Sequence, residues 1–407
     1  MPPPLPNIRH LRVFREVAEC RSISQAAPRV FLSQPAITQA IAKLEAQLET
    51  ALFERHADGM FPTEAGKVWH NRVDRCLDYI ENGIREILKN RPGGRPASAG
   101  QILPLLTTTQ LKALVAVSEA RNFTIASRSL GVSQSSLHRA ARELEQLLAI
   151  PLFEKTSTGI GITKACQALT RAVKLGFAEI RQGHDELNAL RSREVGKIAL
   201  GSMPLARTSI LPEVINRFGA LHPDIGINVV DAPYDDLLQH LRHGDLDFLV
   251  GALRFPAPAD DIVQEELLSP PLAIVARKGH PLASRPKLDI ATLADQAWVV
   301  PRGGTPTRAF FDSLFVDKGL PPPSRLVETS SQILIRELLR GSDRLTLIST
   351  HQIEHELRLG LLCVLPYALS HTRRPIGITL RQNWQPTPFQ RRFLDMLREA
   401  AGRYADQ

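Results

Sequence analysis

Cysteines and long apolar runs are scarce in this chain of 407 residues. The four cysteines have neither a CxxC pair nor the spacing of a disulfide framework, which favours reduced thiols. No stretch approaches the roughly 18 to 20 apolar residues that a membrane-spanning helix needs. The proline-rich start MPPPLP lacks the apolar segment of a secretory signal. These absences predict a cytoplasmic protein that has no membrane partner.

Short catalytic motifs are also missing. The chain contains no GxSxG, HExxH, GxxxxGK[ST] or GxGxxG. The segment HQIEH places His351 and His355 four residues apart, as two metal ligands on one helix face would be, but a third ligand is not evident. We therefore predict that the chain is not an enzyme and that it holds no metal and no cofactor.

Positive charge is confined to the first half of the chain. The formal net charge is +8, with 50 Lys and Arg against 42 Asp and Glu. Residues 1–193 hold 26 of these basic residues and 18 of the acidic ones, so the remainder is balanced. A basic half joined to a neutral half predicts a polyanion-binding part attached to a part with another role.

The basic half contains a repeat with a period of 100 residues. Leu52-Phe53-Glu54-Arg55 recurs as Leu152-Phe153-Glu154-Lys155, and many single residues recur at the same offset without a gap. Between the copies, residues 90–100 read NRPGGRPASAG, a composition typical of a linker.

Each copy has the pattern of three short helices followed by a two-stranded wing. Gly131 supplies a permissive turn residue before the third helix, where Phe31 stands in the first copy. Ser33 and Ser133 are expected to cap that helix with their side-chain oxygens.

The third helix of each copy has one apolar face and one polar face. Its inward residues are Ile37, Ile41, Leu44 and Leu48 in the first copy and Leu137, Ala141, Leu144 and Leu148 in the second. Small and hydrogen-bonding residues on the outer face suit a helix whose tip enters the major groove, and basic residues on the wing suit phosphates. A solvated helix face is the alternative. The candidate DNA-binding residues are Ser33, Gln34, Pro35, Thr38, Gln39, Lys43 and Arg55, then Ser133, Gln134, Ser135, His138, Arg139, Arg142 and Lys155.

The pattern from Ala26 to Leu48, followed by LFER and PTEAG, resembles the winged helix-turn-helix of LysR-type transcriptional regulators. The second copy resembles it too, with Ser135 and Cys166 at the places of Pro35 and Gly66. Pro28 departs from the pattern, because a proline inside a helix is costly, and the length of the second helix is therefore in question.

The resemblance extends to a long helix and to the neutral half. Residues 164–194 resemble the family's linker helix, which implies pairing of two subunits, and residues 64–89 are a second candidate of the same kind. A simple core helix is the alternative for either. HPDIGINVVD and GDLDFLVGAL resemble its effector domain, which implies a periplasmic-binding-protein-like fold with two α/β lobes. PTRAFFDSLF and RPIGITLRQNWQPTP resemble the branch with duplicated helix-turn-helix units that includes galactose-binding-protein regulators.

The predicted fold is therefore multidomain, with two winged helix-turn-helix units before an α/β effector domain. We place the first unit at 7–66, a helix and linker at 67–106, and the second unit at 107–163. A dimerisation helix at 164–194 and the effector domain at 195–407 follow.

Ligands of open α/β lobes lie beyond the carboxyl ends of strands, near helix N-termini. Short apolar strands are predicted at 197–202, 226–230, 247–251, 272–277, 298–301 and 344–349. Hydroxyl or glycine residues that follow strands are the candidate effector-binding residues: Ser202, Thr208, Gly251, Thr305 and Ser330. An ordinary helix cap is the alternative for each.

Together these observations predict a transcriptional regulator that binds double-stranded DNA and senses a small molecule, a sugar or an aromatic or organic acid. The expected assembly is a homodimer or homotetramer, and RNA polymerase is a further expected partner. The alternative is a cytoplasmic solute-binding protein or enzyme on the same two-lobed fold. The sequence does not determine the operator sequence, the effector, or whether the protein activates or represses. It also leaves open whether both helix-turn-helix units bind DNA.

Overall fold

The structure is a computed structural model that describes residues 4–89, 98–157, 159–208, 210–369 and 372–405. It divides into two compact units. The N-terminal unit comprises Met1–Lys197 with Arg242–Asp245, and the C-terminal unit comprises Ile198–Leu241 with Leu246–Gln407. Most of the predicted linker, residues 90–97, lies outside the described residues.

The N-terminal unit repeats one set of elements at an offset of 100 residues. The first set is α1 (Ile8–Cys20), α2 (Ile23–Val30), α3 (Gln34–Leu48), β1 (Phe53–His56), β2 (Gly59–Pro62) and α4 (Glu64–Lys89). A short helix, α5 (Ala99–Ile102), precedes the second set. That set is α6 (Thr108–Ala120), α7 (Phe123–Leu130), α8 (Gln134–Leu148), β3 (Phe153–Thr156), β4 (Gly159–Ile162) and α9 (Lys164–Leu190).

The same local contacts hold each copy together. The Glu45 carboxylate accepts hydrogen bonds from the backbone N–H groups of Leu52 and Phe53, at 2.7 and 3.2 Å, and so joins α3 to the wing. Glu145 makes the equivalent bonds at 2.8 and 3.0 Å in the second copy. Because the acceptor is a carboxylate, these bonds are stronger than neutral ones and fix the start of each wing.

The proline in α2 does not shorten that helix. α2 spans eight residues, as α7 does, with Pro28 inside it. The missing N–H would have bonded the carbonyl of Ser24, and Ser24 and Pro28 are both exposed, so water can satisfy that carbonyl. The question that Pro28 raised about the length of the second helix is thereby answered: the helix has the same length in both copies.

The C-terminal unit contains two five-stranded sheets. Its first lobe runs through β5 (Gly196–Ser202), α10 (Ile210–Leu221), β6 (Ile225–Val230), α11 (Tyr234–Arg242), β7 (Phe248–Ala252) and β8 (Ile262–Leu268). The second lobe contains β9 (Leu272–Arg277), α12 (Ile290–Ala294), β10 (Trp298–Val300), α13 (Pro306–Val316), β11 (Leu326–Glu328), α14 (Gln332–Arg340), β12 (Leu345–Ser349), α15 (Glu354–Arg358) and β13 (Leu362–Val364). The chain then returns to the first lobe with β14 (Ile376–Arg381) and α16 (Pro388–Ala405).

Each lobe has its own core. The strand order is β6-β5-β7-β14-β8 in the first lobe and β11-β10-β12-β9-β13 in the second. Phe218, Phe248 and Phe393 are buried in the first core, and Trp298 and Phe311 in the second. All six predicted strands are present, within two residues of their predicted ends, whereas β8, β11, β13 and β14 were not predicted.

Candidate nucleic-acid interface and effector cleft

The outer face of α3 is open to solvent. Pro35, Thr38, Gln39 and Ala42 line an open groove on this face, together with Ile23 of α2. The four inward residues predicted for α3 are all buried: Ile37, Ile41, Leu44 and Leu48. The burial of one face leaves the other available to a large ligand.

The N-terminal tips of α3 and α8 differ in their caps. Ser33 stands at the N-cap of α3 but makes no side-chain capping bond, contrary to expectation. Pro35, in the first turn, has no N–H to donate, which removes one of the donors that a cap could satisfy. In the second copy, the Ser133 hydroxyl accepts a bond from the Ser136 N–H at 3.2 Å, as predicted.

The outer face of α8 is more basic than that of α3. Arg139 and Arg142 are exposed, and Arg139 forms a 3.7 Å ion pair with Glu143, which is weak at such exposure. His138 is less available, because its ring stacks on Phe123 with centroids 3.7 Å apart. The arginines are therefore the freer donors on this helix.

The two basic residues predicted on the wings are exposed. Arg55 lies on β1 and Lys155 at the equivalent place on β3. Arg55 and Thr38 line one small pocket between the wing and α3, so the structure places this cation beside the outer face of the helix. This arrangement fits a role in which Arg55 contacts the DNA backbone while α3 contacts base edges.

In the C-terminal unit, loops that follow strands of both lobes meet. Ser202 ends β5 and is fully buried. The next residue, Met203, donates its N–H to the Val250 carbonyl at 3.0 Å and packs where a side chain on Gly251 would lie. The 3-10 turn Pro204–Ala206 also contacts the turn that follows β12 in the second lobe.

A second contact links the lobes through Arg254. Its Nη1 donates to the Gly304 carbonyl at 3.5 Å, which brings the loop after β7 beside the loop after β10. Thr305 follows directly and caps α13, where its hydroxyl accepts a bond from the Arg308 N–H at 3.3 Å. These contacts bring the Ser202, Gly251 and Thr305 loops together where the two lobes meet, and we call this junction the cleft.

The remaining two predicted effector residues, Ser330 and Thr208, are both exposed. Ser330 is exposed in the loop after β11, whose Thr329 N–H bonds the Val300 carbonyl at 2.9 Å, so this loop borders the cleft. Ser331, and not Ser330, caps α14. Thr208 is exposed, and Ser209 lies outside the described residues.

Three cleft residues were not among the predicted site residues. The Arg254 guanidinium lies 4.7 Å from the centroid of the Tyr234 ring. Both the Tyr234 hydroxyl and Arg254 Nε are buried without a hydrogen-bond partner in the described part of the chain, as is the Ser349 hydroxyl at the end of β12. Burial raises the pKa of Tyr234, against a smaller opposing effect of Arg254, so its hydroxyl stays a donor. The sequence shows only that Ser349 ends a strand; nothing in it marks the Arg254–Tyr234 pair.

The two histidines of HQIEH do not share a helix. His351 lies in a 3-10 turn and His355 in α15, with Ile353 outside the helical conformation between them. Among the residues that the structure describes, no three His, Cys, Asp or Glu side chains are grouped to hold a metal ion. Over the same residues, no helix combines the length and apolarity needed to cross a membrane.

Comparison with known proteins identifies the family. Residues 8–67 and 108–167 both match the family model of the bacterial regulatory helix-turn-helix protein, lysR family. Residues 191–402 match the LysR substrate binding domain.

Similar proteins agree with these matches. The HTH-type transcriptional regulator GalR of Pseudomonas putida is 36% identical over 384 residues, which cover 94% of each chain. PcaQ of Agrobacterium fabrum is 29% identical over 297 residues, covering 73% of this chain and 95% of that protein.

Two solved structures share the fold. OxyR from Pseudomonas aeruginosa has a TM-score of 0.55 at 20% identity and covers 73% of this chain and 94% of its own. Full-length CbnR in complex with its target DNA has a TM-score of 0.50 at 21% identity and covers 72% and 98%. The predicted family and fold class are confirmed: the chain belongs to the LysR family of transcriptional regulators, with two helix-turn-helix units and one effector-binding domain of two α/β lobes.

Proposed function

We propose that α3 and α8 both read base edges in the major groove and that Arg55 and Lys155 hold phosphates. The exposed polar face at the tip of each helix carries this proposal. Thr38 and Gln39 would provide the base contacts of the first copy, and Arg139 and Arg142 those of the second. The other predicted contacts, at Ser33, Gln34, Pro35, Lys43, Ser133, Gln134, Ser135 and His138, stay part of the proposal.

The test separates sequence discrimination from overall affinity. The full chain is first used to select its preferred site from random DNA, and binding to that site and to scrambled DNA is then compared. Gln39→Ala and Arg139→Ala should each reduce the ratio of these affinities, whereas Arg55→Ala should weaken both equally. Gln146→Ala, on an exposed residue at the far end of α8, is the control. A ratio unchanged in both helix variants would refute the assignment.

For the C-terminal unit, we propose an effector site in the cleft formed by the Ser202, Gly251, Thr305 and Ser330 loops. Arg254 and Tyr234 add a cation and a phenol, and Arg254 Nε and the Tyr234 hydroxyl are buried without a partner among the described residues. Unsatisfied buried donors are costly, and a ligand carboxylate would satisfy them. This favours an organic acid, with or without sugar hydroxyls, over a neutral sugar. Thr208 stays a less supported member of the set.

Calorimetry of the full chain tests the site. A panel of hydroxylated and aromatic organic acids should include a ligand, and the matching neutral sugars should bind less. Ser202→Ala combined with Thr305→Ala should abolish its effect on DNA binding without changing DNA binding itself. Ser284→Ala, which removes an exposed hydroxyl elsewhere in the unit, is the control. An unaltered ligand response in the double variant would place the site elsewhere.

We further propose that the chain acts in the cytoplasm and that it contacts RNA polymerase. The predicted domain bounds also stay a proposal, and in the structure the helix expected to pair two subunits, at 164–194, packs against α4 of the same chain. Homodimer or homotetramer assembly stays a prediction. Absence of catalysis is also a proposal, supported by the transcriptional regulators among its relatives. Recovery of the effector unchanged after prolonged incubation with the chain tests it, since a consumed ligand would indicate an enzyme.

A further inference from the structure

The two long helices of the N-terminal unit pack against one another within a single chain. A Cβ placed on Gly176 of α9 would lie 3.2 Å from Sγ of Cys76 on α4. Further along α4, a Cβ on Gly83 would lie 2.4 Å from the Cβ of Ala172. Residue numbers rise along one helix as they fall along the other, so α4 and α9 form a close antiparallel pair.

The contacts of this pair have twofold symmetry when the repeat is taken into account. Gly83 meets Ala172, and the equivalent contact at the other end joins Gly183 to Arg72, with 3.2 Å between the Cβ positions. Gly183 is the counterpart of Gly83 in the second copy, and Arg72 is the counterpart of Ala172 in the first copy. The two contacts therefore join equivalent positions with the roles of the copies exchanged. Contacts of this reciprocal kind define an isologous interface, as in a symmetric dimer.

A residue that lies on the twofold axis of such an interface must contact its own counterpart in the other copy. Cys76 meets Gly176, its counterpart in the second copy. At the opposite end of the copies, the Ile8 N–H donates to Oγ1 of Thr108 at 2.8 Å. Ile8 and Thr108 also differ by 100. Two separate contacts therefore place the same pseudo-twofold axis between the copies.

The polar contacts in this interface favour pairing of α4 with α9 over pairing of either helix with itself. The buried Arg72 guanidinium donates to Glu179 at 2.7 Å, to Gln182 at 3.0 Å and to Glu186 at 2.5 Å. The counterpart of Arg72 is Ala172. Two α9 helices paired in the same register would therefore bury Glu179 without this arginine, and an unpaired buried charge is strongly unfavourable.

From these contacts we propose that one chain forms a complete pair of DNA-reading units, which recognises an operator of two inverted half-sites with different sequences. The pairing surface that would otherwise join two molecules is filled by α4 and α9 of the same molecule. This inference rests on the proposed role of α3 and α8 in reading DNA.

The pseudo-twofold axis determines the orientation of the half-sites. Helix-turn-helix units related by a twofold axis read half-sites in opposite directions. Because α3 presents Gln39 where α8 presents Arg139, the half-sites differ in sequence and the chain binds in one direction only. One effector domain is thereby supplied for each pair of DNA-reading units.

A cross-link tests the pairing in the full chain. Gly176→Cys places a thiol beside native Cys76, within the distance that a disulfide spans. Oxidation with oxidised glutathione should give a species of single-chain mass on non-reducing electrophoresis, with the 76–176 link confirmed by mass spectrometry of peptides. A 76–176 link that joins two chains would overturn the proposal.

Two variants control for folding and for the thiol. Gly176→Ala adds the same Cβ without a thiol, and its unfolding shows whether the close approach tolerates the extra atom. Gly176→Cys with Cys76→Ser should give no link. If the cysteine variant does not fold, the number of wild-type chains bound to each pair of half-sites decides whether one chain forms the pair of DNA-reading units.

The number of bound chains is measured with the wild-type protein on the DNA site that it selects from a random pool. Mass photometry should give one chain for each pair of half-sites, whatever the total number of pairs. Replacing one half-site by an inverted copy of the other should weaken binding on the order of 10-fold or more, as mismatched base pairs do. Two chains on one pair of half-sites, or selection of a lone half-site, would overturn the inference.

The two proposals fail in different ways. If the helix variants leave discrimination unchanged, the DNA-reading assignment is wrong, while an intrachain link would still show the pairing. If discrimination is lost as expected but each pair of half-sites requires two chains, the DNA-reading assignment stands and the single-chain inference is wrong.

Discussion

The two winged helix-turn-helix copies have the same backbone plan and different outer surfaces. Buried positions are conserved between them: Leu44 and Leu144 are both fully buried, as are Leu52 and Leu152. Outer positions differ, as with Lys43 in the first copy and Glu143 in the second. Packing therefore constrains the inner face of each third helix, while the outer face is free to differ between the copies.

The long helices differ between the copies in a complementary way. Arg72 faces acidic residues of α9, whereas its counterpart Ala172 is small and faces Gly83. His184 of α9 packs on Trp69 with ring centroids 5.2 Å apart, whereas its counterpart in α4 is the buried Ile84. Each helix has thus become specific for the other.

Removing the charge of Arg72 should have the largest effect. Arg72→Ala removes one of two arginines bonded to the buried Glu179, while Arg75 keeps its 2.8 Å bond to that carboxylate. The loss of stability should therefore approach, without exceeding, the cost of about 3–5 kcal/mol that is typical when one member of a buried pair is lost. Urea unfolding of the full chain, followed by circular dichroism, measures this cost. Burial lowers the pKa of Arg72, but the hydrogen bonds and charges of Glu186 and Glu179 outweigh burial and raise it, so the arginine stays charged.

A paired replacement controls for the size of the side chain. Arg72→Met together with Glu179→Leu removes both charges of this pair and should recover part of the lost stability, since apolar pairs of similar volume often replace buried ion pairs without loss. Recovery is incomplete because Glu186 loses Arg72 and Arg75 loses Glu179 as a partner. Equal stability of Arg72→Ala and wild type would show that the cluster does not hold the helices together.

The His184 position should make stability depend on pH. Burial, with a smaller contribution from Arg191, lowers the pKa of His184 from 6.5 to about 4. The unfolded chain therefore binds the proton first as the pH falls, and stability present above pH 6.5 is lost down to about pH 4. The loss is at most about 3 kcal/mol, and smaller to the extent that water reaches the ring.

Ile84 supplies the matched replacement for this test. His184→Ile should reduce the slope of the unfolding free energy against pH between pH 4 and 6.5. The unfolding free energy at pH 8 should change little. An identical slope in the variant would assign the pH dependence to other groups.

Exchanging one base-reading residue should convert one half-site preference. Glutamine pairs with adenine and arginine with guanine, so Gln39→Arg should shift one position of the first half-site from adenine to guanine, by about 1–3 kcal/mol. Selection from random DNA measures the shift. Arg139→Gln should cause the reverse change in the second half-site, and a site unchanged by both exchanges would contradict the reading.

The turn before the third helix should give the smallest effect. Phe31 has φ of 56° and is 84% exposed, whereas Gly131 has φ of 65° at the same place. Phe31→Gly relieves a left-handed conformation and should stabilise the chain by up to about 1 kcal/mol, measured by thermal unfolding. Gly131→Phe should have the opposite effect. A destabilised Phe31→Gly variant would mean that another surface covers the Phe31 ring.

Much of the N-terminal unit was predictable from the sequence. The 100-residue repeat is visible without structure, and the periodicity of apolar residues gave the buried faces of α3 and α8, because helix geometry fixes which residues share a face. The two family matches confirm the winged helix-turn-helix units. The availability of each outward residue was not predictable, since the stacking of His138 on Phe123 depends on packing between α7 and α8.

The fold class of the effector domain was predictable from the sequence, whereas the residues of its candidate binding site were less so. Strands rich in apolar residues were recognised, while β8, with its run of polar residues, and β14 were missed. Arg254 and Tyr234 lie 20 residues apart and come together only because the loop after β7 returns over the start of α11. Nothing local in the sequence encodes that contact.

The family, the duplication and the two-part organisation of this protein depend on local motifs and on periodicity, so the sequence alone is enough to predict them. What covers the apolar faces of the long helices depends on tertiary packing. An amphipathic helix must bury its apolar face, but its pattern does not specify the partner. The contacts of Gly83 with Ala172, Gly176 with Cys76 and Arg72 with Glu179 join residues about 90 to 110 positions apart, and the fit of these side chains selects α4 as the partner of α9.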